Sequence, residues 1–371
     1  MFDIPAQPIA SSRMPAPSKT KGGSGFETGG SVFSVPLMKT TQGPFWPPSE
    51  IADQNGDFVL VGGFVLKEIA PGKISPVPNE KGVIVSKNTL PPLRDGNEDF
   101  SNPFGSSYQI VRDLDLGAHG KDWDLVLYSL SCGPFFGNFG GGQPRIPGSR
   151  DSQYNLNANP RWNREVAPVG SESPTYYRPN YALHQVPIWR LDEIPRYISI
   201  GVAIDPSGGG QDASADFRER RPITLREYLR GNGQMKIGLL PSTRGVFSHA
   251  RFDFEFRGLL PNSLFAIWAL HAAGLLPPSD PRFLLPVPLA IPNVVQTDAQ
   301  GDAQISFEVP NPFPDPANDP QLNRIVAIAI TYFSDFQNWG AALTSLGTGV
   351  SAHTVMNANL SQIQGLITKN S

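Results

Sequence analysis

Cysteine is almost absent from this sequence. The chain has 371 residues and a single cysteine, Cys132. One thiol cannot form an intramolecular disulfide, and it cannot build a zinc site that needs several thiolates. The sequence therefore excludes a disulfide-stapled fold and leaves the redox compartment open.

Long apolar runs are also missing from the sequence. The longest apolar run, residues 264–276, includes His271 and is shorter than the ~20 residues that a membrane-spanning helix needs. Residues 1–48 lack a charged head followed by an apolar segment, so we predict no signal peptide. Localisation stays unknown, because an extracellular or periplasmic form could already have been processed.

Charge of one sign is not in excess. Lysine and arginine total 30 against 33 aspartates and glutamates, which gives a net charge of −3. Nucleic-acid binding driven by charge needs a strongly basic surface. We therefore predict no nucleic-acid partner. Because the longest apolar run is too short to span a bilayer, we also predict no transmembrane segment.

Recognisable catalytic and nucleotide-binding motifs are missing as well. The sequence contains no G-x-S-x-G elbow, no Walker pattern and no H-E-x-x-H, which are the local signatures of several hydrolase and nucleotide-binding classes. A glycine cluster at residues 137–142 is followed by Gln143 and Pro144 and not by a helix that could face a phosphate. These absences favour a non-catalytic role over an enzymatic one.

Glycine and proline, in contrast, are abundant. The chain has 37 glycines and 38 prolines, about a fifth of its length, which disfavours long helices. Short apolar runs bounded by turn residues begin at about residue 57 and predict strands. We predict a mainly β fold of two β-sandwich, jelly-roll-like units, at 46–205 and 206–371, with residues 1–45 as an extended N-terminal arm.

Three segments give sharper local predictions. In residues 250–256, phenylalanines alternate with charged residues, which predicts a strand with one apolar and one wet face. Thr224 and Glu227 have the spacing of a capping box, so we predict a short helix near 224–230 that ends before Gly231. We favour a strand over a buried helix for residues 264–273.

The second half of the chain resembles a known group of domains. The segments TLREYLRGNGQMKIGLL, FEFRGLLPNSLFAIWAL, TDAQGDAQISF and AIAITYFSD are similar to an uncharacterised group of bacterial β-sandwich domains over roughly residues 223–360. The resemblance implies a β-sandwich fold. It implies no activity and no catalytic residue.

Two kinds of cation site are weighed against ordinary structural roles. His249, His271 and His353 all lie in the second series of strands and could converge on a transition metal, although surface or hydrogen-bonded histidines are commoner. Residues 53–57 (DQNGD) and 298–302 (DAQGD) are similar to half a calcium loop but lack its glutamate. We favour hairpin turns there and predict no cofactor, with a transition metal or calcium as alternatives.

The long segment 143–195 has the composition of a contact surface. Every basic residue between Lys121 and Lys236 is arginine, and protein interfaces are enriched in arginine, tyrosine and tryptophan and depleted in lysine. A long ordered loop packed on its own protein is the equally weighted alternative. The candidate interface residues are Arg161, Trp162, Arg164, Tyr176, Tyr177, Arg178, Tyr181 and Trp189.

These observations favour three functional hypotheses from different classes. The first is a non-catalytic structural or interaction subunit. It docks on copies of itself or on other proteins through the N-terminal arm, residues 1–45, and through residues 143–195, which we call the Arg/aromatic loop. Membrane-complex association is compatible with it. The second is an enzyme with a cleft site of scattered His, Asp or Tyr, with or without a metal. The third is a carbohydrate-binding module that uses Trp162 and Trp189.

Overall fold

The computed structural model describes residues 18–19, 32–43, 48–89, 93–94, 97–98, 106–130, 179–183, 221–241, 247–276, 280–284, 286–334, 352–360 and 363. In the first half of the chain the strands are β1 (Ser18–Lys19), β2 (Val32–Pro36), β3 (Met38–Lys39), β4 (Ile51–Ala52), β5 (Phe58–Leu60), β6 (Phe64–Ala70), β7 (Lys73–Pro78), β8 (Val83–Val85), β9 (Leu93–Arg94), β10 (Asn97–Glu98), β11 (Ile110–Asp113), β12 (Tyr128–Leu130) and β13 (Pro179–Ala182). In the second half they are β14 (Asn232–Pro241), β15 (Phe247–Arg257), β16 (Leu264–His271), β17 (Val287–Pro288), β18 (Val294–Gln296), β19 (Ala303–Pro310), β20 (Ile325–Phe333) and β21 (Ala352–Asn359).

The helical elements of the described residues are short. The α-helix α1 spans Leu225–Tyr228. Short 3-10 turns lie at Lys121–Asp124, Ala272–Leu275 and Pro316–Asn318. The strands carry most of the regular structure, so the prediction of a mainly β fold is confirmed.

Sheet I has the strand order β1-β2-β14-β15-β19, with antiparallel pairing between neighbours. Its inner strand β15 buries Phe252, Phe254 and Phe256 and turns Asp253 and Glu255 towards solvent. The predicted alternation of this strand is confirmed. Its period of two lets one face join the core while the other stays wet.

Sheet II has the order β17-β16-β20-β21-β3, and β18 also pairs with β16. The segment 264–271 is a strand, as the sequence analysis favoured. One face of this sheet joins the main core through Phe265 and Ile267, and the other buries Ala266 and Trp268. Burial of both faces explains why the strand is apolar throughout instead of alternating.

The segment 32–39 belongs to these two sheets. β2 pairs with β14 of sheet I, and β3 pairs with β21 of sheet II. The sequence analysis placed these residues in an extended arm, but Phe33 and Val35 are buried in the core. The alternation of these two side chains with Ser34 and Pro36 is the local signal of the strand.

Sheet III has the order β11-β8-β5-β4-β12-β13. Its residues Ile51, Val59 and Ile84 belong to the same hydrophobic cluster as the inward side chains of sheets I and II. Sheets I and II enclose this cluster in the manner of a β-sandwich, and sheet III packs against the same core. The two predicted units therefore share a hydrophobic core across their described residues.

Helix α1 begins with the predicted capping box. The Thr224 hydroxyl accepts a hydrogen bond from the Glu227 amide, and the Glu227 carboxylate accepts one from the Thr224 amide. The helix ends after one turn at Tyr228, earlier than the two turns expected from Gly231. The next strand, β14, begins at Asn232 and leaves no room for a second turn.

Candidate functional site

The connection from β3 to β4 joins sheet II to sheet III, and its described residues, 40–43 and 48–50, are unusually polar for a largely buried segment. Thr40, Thr41 and Ser49 are buried. The Thr41 hydroxyl donates to the Val59 carbonyl over 2.7 Å, and the Thr40 amide donates to the Val355 carbonyl over 3.1 Å. Buried hydroxyls are tolerated where they are hydrogen-bonded. The Thr41 hydroxyl fixes the connection to sheet III, and the Thr40 backbone amide fixes it to sheet II.

Glu50 ends this connection and is partly buried. Its Oε2 atom accepts a hydrogen bond from the backbone amide of Thr354 in β21. Burial raises the pKa of Glu50 to about 7, and the hydrogen bonds of Thr354 oppose this shift only in part. A carboxyl group removed from water favours its neutral form, so Glu50 is partly protonated near neutral pH.

His353 lies beside Glu50 and uses both ring nitrogens. Nδ1 is 3.0 Å from the backbone carbonyl oxygen of Glu50, and Nε2 is 2.9 Å from the hydroxyl oxygen of Ser334. A carbonyl oxygen can only accept, so Nδ1 carries the hydrogen and Nε2 accepts from Ser334. Burial lowers the pKa of His353 to about 4, which leaves the imidazole neutral.

Two tyrosines complete the surroundings. The Tyr228 hydroxyl donates to the Thr354 carbonyl over 2.8 Å, and burial raises the pKa of Tyr228. The Tyr332 ring lies 6.2 Å from the His353 ring, centroid to centroid. We call this group the Glu50–His353 cluster. Its members are Glu50, Tyr228, Tyr332, Ser334, His353 and Thr354.

The cluster combines a partly protonated acid, a neutral imidazole and a hydroxyl group. The contact between Ser334 and His353 has the geometry of a nucleophile and its general base, with the Glu50 carbonyl fixing the tautomer. Ser334 has no exposed surface, however, and His353 is only 1% exposed. In this conformation the contacts tie three chain segments together and leave no room for a substrate at the hydroxyl.

The three histidines considered as metal ligands are not brought together. His271 pairs with Ile325 at the first residue of β20, and His353 pairs with Tyr332 near its last. Seven residues of strand separate those positions by roughly 23 Å. His249 lies in sheet I, opposite Pro310. A metal shared by this set is ruled out by the strand register.

Across the described ranges, no group of three or more His, Cys, Asp or Glu side chains is placed to hold a metal ion. The two acidic segments form turns of the same design. The Oδ1 atom of Asp53 accepts from the amides of Asn55 and Asp57, and that of Asp298 accepts from Gln300 and Asp302. The turn interpretation accounts for these carboxylates.

The candidate interface residues lie almost entirely outside the described residues. Arg161, Trp162, Arg164, Tyr176, Tyr177, Arg178 and Trp189 all fall there. Tyr181 lies in β13, which pairs with β12 at the edge of sheet III. Within this segment, then, the described residues 179–183 are bound to the chain's own fold.

An exposed surface is provided by the hairpin of β6 and β7, a two-stranded sheet of its own. At its base, Val65 and Leu66 are buried. Every residue from 67 to 73 is exposed, and Ile69 keeps 53% of its surface in solvent. We call residues 67–73 the free hairpin end. A two-stranded ribbon is marginally stable alone, so this end is supported only through the base.

Both edges of the hairpin are blocked against strand addition near the base. The Gln42 side chain bonds the amide and carbonyl of Phe64, and the Leu66 carbonyl accepts from Tyr108. Phe64 and Leu66 therefore direct their backbone groups away from β7, and their partners Pro78 and Pro76 do so on the other edge. Proline has no N–H there, which protects that edge.

A second exposed region is β11, at the edge of sheet III. Val111 is 54% exposed, and the register shifts between Ile110 and Arg112. A bulge of this kind disrupts an edge ladder. Arg112 forms a bidentate contact with Asp122, with distances of 2.6 and 2.7 Å. The strand is thus anchored to the 3-10 turn that contains Asp122.

Glu50, Ser334 and the free hairpin end are not among the residues predicted from the sequence. Glu50 and Ser334 have no local motif. Ser334 meets His353 through the pairing of β20 with β21, and Glu50 meets it from the start of β4. The hairpin had a usable signal: the Pro-Gly turn at residues 71–72 between two alternating segments is typical of a hairpin.

No protein-family model matches the chain, and no curated protein matches it. Within the ranges that the structure describes, no helix has both the length and the apolar character required to span a bilayer.

Proposed function

We propose that this protein is a non-catalytic structural subunit that assembles with other copies of itself, with the free hairpin end as one of the contacts. The observation that carries the proposal is the exposure of residues 67–73, a ribbon that projects from the shared core with a half-exposed isoleucine. The N-terminal arm, residues 1–45, and the Arg/aromatic loop, which both lie largely outside the described residues, are kept as further proposed contacts.

The two faces of this ribbon carry opposite charges, which favours a second copy as the partner. Lys67 pairs across the ribbon with Ser75, and Glu68 pairs with Ile74. Cross-strand partners share a face, while successive residues of a strand point to opposite faces. Lys67 and Glu68 therefore lie on opposite faces, and Lys73, opposite Ala70, is a second basic group of this end. The basic face of one copy complements the acidic face of the next.

Contacts between two different faces are heterologous and repeat from copy to copy. Such contacts build rings when the rotation closes and open filaments when it does not. Because the edges near the base are blocked, side chains and not backbone ladders supply the contact. The near-neutral net charge of −3 also gives copies little mutual repulsion.

Sedimentation equilibrium of the full chain tests the proposal. We expect oligomers whose size increases with protein concentration. Lys67→Glu puts carboxylates on both faces and leaves Lys73 as the one basic group of the free hairpin end, and Glu68→Lys removes its one carboxylate, so each weakens association by about tenfold or more. The double variant, with the charges exchanged, restores association, and so does a mixture of the two single variants.

Glu308→Lys is the matched control, because Glu308 is an exposed carboxylate of β19 on the outer side of sheet I. It reverses a charge without touching the hairpin and should leave association unchanged. A wild-type chain that stays monomeric at every concentration overturns the proposal. So does association that is indifferent to both hairpin variants.

A second candidate function, an enzyme, is favoured by one specific observation. The Ser334 hydroxyl lies 2.9 Å from Nε2 of His353, and acyl transfer through serine uses such a pair. If burial of the hydroxyl is relieved in solution, a fluorophosphonate probe should label Ser334 in the wild type and not in Ser334→Ala. Absence of labelling over a range of pH removes this candidate.

A further inference from the structure

The free hairpin end carries more positive than negative charge. Lys67 and Lys73 are both exposed, and Glu68 is the one carboxylate of residues 67–73. The Oε1 atom of Glu68 already accepts a hydrogen bond from the Gly72 amide over 2.7 Å. A single carboxylate on a second copy does not balance two ammonium groups, so further carboxylates from another element of that copy would complete the contact.

Strand β11 lies beside the base of the same hairpin. The amide of Tyr108, two residues before β11, donates to the Leu66 carbonyl over 2.9 Å. Val65 of the hairpin base packs with Val83 and Val85 of β8 in one hydrophobic cluster, and β8 is the strand that pairs with β11. The hairpin therefore rises from sheet III next to its edge strand.

Two side chains of β11 share the face of sheet III on which the hairpin base packs. Ile110 lies opposite Val85, and Asp113 lies opposite Val83. Cross-strand partners point to the same face of a sheet. Ile110 remains 37% exposed there, and Val111, the extra residue of the bulge, is 54% exposed. An apolar surface with a carboxylate at its end thus lies beside the hairpin.

The charges of this surface are predominantly negative. Arg112 is bound by Asp122 through two hydrogen bonds, so these two charges neutralise each other. Asp113 and Asp115 are exposed carboxylates, and Lys121 lies in the neighbouring 3-10 turn. The balance is acidic, which complements the basic end of the hairpin.

A second pair of exposed apolar side chains fits a basic partner less well. Leu275 and Ile291, at 57% and 92% exposure, lie on either side of β17 in sheet II. Asp280 and Arg282 are the charged residues of the chain between them, and they form an ion pair over 2.9 Å. That part of the chain adds no net charge, so charge complementarity favours β11.

We infer that β11 is the acceptor for the free hairpin end of a second copy, a contact that depends on the self-assembly proposed above. Ile69 of one copy packs on Val111 of the next, and the lysines of the hairpin end lie against Asp113. Because the bulge at Val111 disrupts the edge ladder, side chains and not strand addition make the contact.

Sedimentation equilibrium of the full chain tests the acceptor through charge. Asp113→Lys should weaken association by about tenfold or more, as Lys67→Glu does. An equimolar mixture of these two variants should associate like wild type, because every contact then joins opposite charges. Glu308→Lys is again the control, and unchanged thermal unfolding shows that each variant keeps the fold.

The outcomes separate the acceptor from the assembly itself. If Lys67→Glu weakens association and Asp113→Lys does not, β11 is not the acceptor and the proposed assembly stands. If the two variants each weaken association but their mixture stays dissociated, Lys67 and Asp113 do not face each other and the acceptor is again wrong. A wild-type chain that is monomeric at every concentration overturns both proposals.

A double-mutant cycle on Ile69 and Val111 tests the apolar part of the contact. Both side chains are more than half exposed, so Ile69→Ser and Val111→Ser should leave thermal unfolding unchanged. Each should weaken association by about fivefold or more. The double variant should be little weaker than either single variant, because both remove the same contact. Losses that multiply place the two side chains in separate contacts and overturn the inference.

Discussion

Tyr228 donates its phenolic hydrogen to the backbone carbonyl of Thr354 over 2.8 Å, although the two residues are 126 positions apart. The bond joins a one-turn helix to strand β21. A helix of four residues has no stability of its own, so its position is set by burial of Leu225 and Tyr228 and by this bond. The helix therefore serves to bring a hydroxyl to the Glu50–His353 cluster.

Replacement of Tyr228 by phenylalanine should lower the free energy of unfolding by about 1–2 kcal/mol, because it removes one donor from a buried carbonyl and keeps the ring. Tyr228→Leu should cost more, since it also removes the edge contact with Tyr332, at 6.4 Å between centroids. Urea unfolding at neutral pH measures both. Equal stability of Tyr228→Phe and wild type would mean that the hydroxyl bonds water instead.

Phe33 tests whether β2 is an integral strand of sheet I. It is 1% exposed and belongs to the shared core. Phe33→Ala should lower the free energy of unfolding by about 3–5 kcal/mol, whereas Ser34→Ala on the same strand should change it by less than about 0.5 kcal/mol. If the two variants unfold alike, the segment 32–36 is not attached to the core.

The elements that could be predicted from sequence are those with a strong local pattern. The alternation of phenylalanines in β15 and the capping box of Thr224 and Glu227 depend on neighbouring residues, and both are found as expected. β2 and β3 were missed because they are short and follow a glycine-rich segment. Their stability comes from pairing with β14 and β21, about 200 residues or more further along.

Only part of the candidate site could be predicted from the sequence. His353 was singled out as a metal ligand, since its residue type suggested that chemistry, but the register of β20 places His271 at the far end of the same strand. Its actual partners, Glu50 and Ser334, have no spacing that identifies them. Contacts between segments 303 residues apart are set by the topology of the sheets and not by any local pattern.

The ion pair of Arg112 and Asp122 should make stability depend on acid pH. The hydrogen bonds of Arg112 hold the pKa of Asp122 below its usual 3.8, so the carboxylate stabilises the fold above that value and loses this effect as pH falls through the folded pKa. Because the Arg112 side chain is 42% exposed, solvent screening limits the effect. We expect Asp122→Asn to cost about 1–2 kcal/mol at pH 7.

That cost should shrink as the pH of the unfolding experiment is lowered towards 2. Asp124→Asn is the control, since this carboxylate is 80% exposed and lies 3.7 Å from Arg226; its effect should stay within about 0.5 kcal/mol at every pH. If Asp122→Asn lowers stability by the same amount at pH 3 and pH 7, the prediction is wrong, because the loss then does not come from the charge of the carboxylate.

Gly301 and Gly72 both lie in turns, but only Gly301 is close to the backbone of another segment, so the two positions can be compared. Both have positive φ, +84° and +71°. A methyl group at Gly301 would lie 2.0 Å from the carbonyl oxygen of Leu259, whereas one at Gly72 would meet nothing within 4 Å. Gly301 is held close because its own carbonyl accepts from the Leu259 amide over 2.9 Å.

Gly72→Ala should therefore lower the free energy of unfolding by about 1 kcal/mol, which is the cost of a positive φ for a residue with a Cβ atom. Alanine at Gly301 should cost roughly 1–3 kcal/mol more, because the turn 298–302 must move away from Leu259. Thermal or urea unfolding of the two variants gives the difference directly. Equal losses would mean that the turn can shift freely, and the acidic turn would then be a flexible loop and not a support for the end of β15.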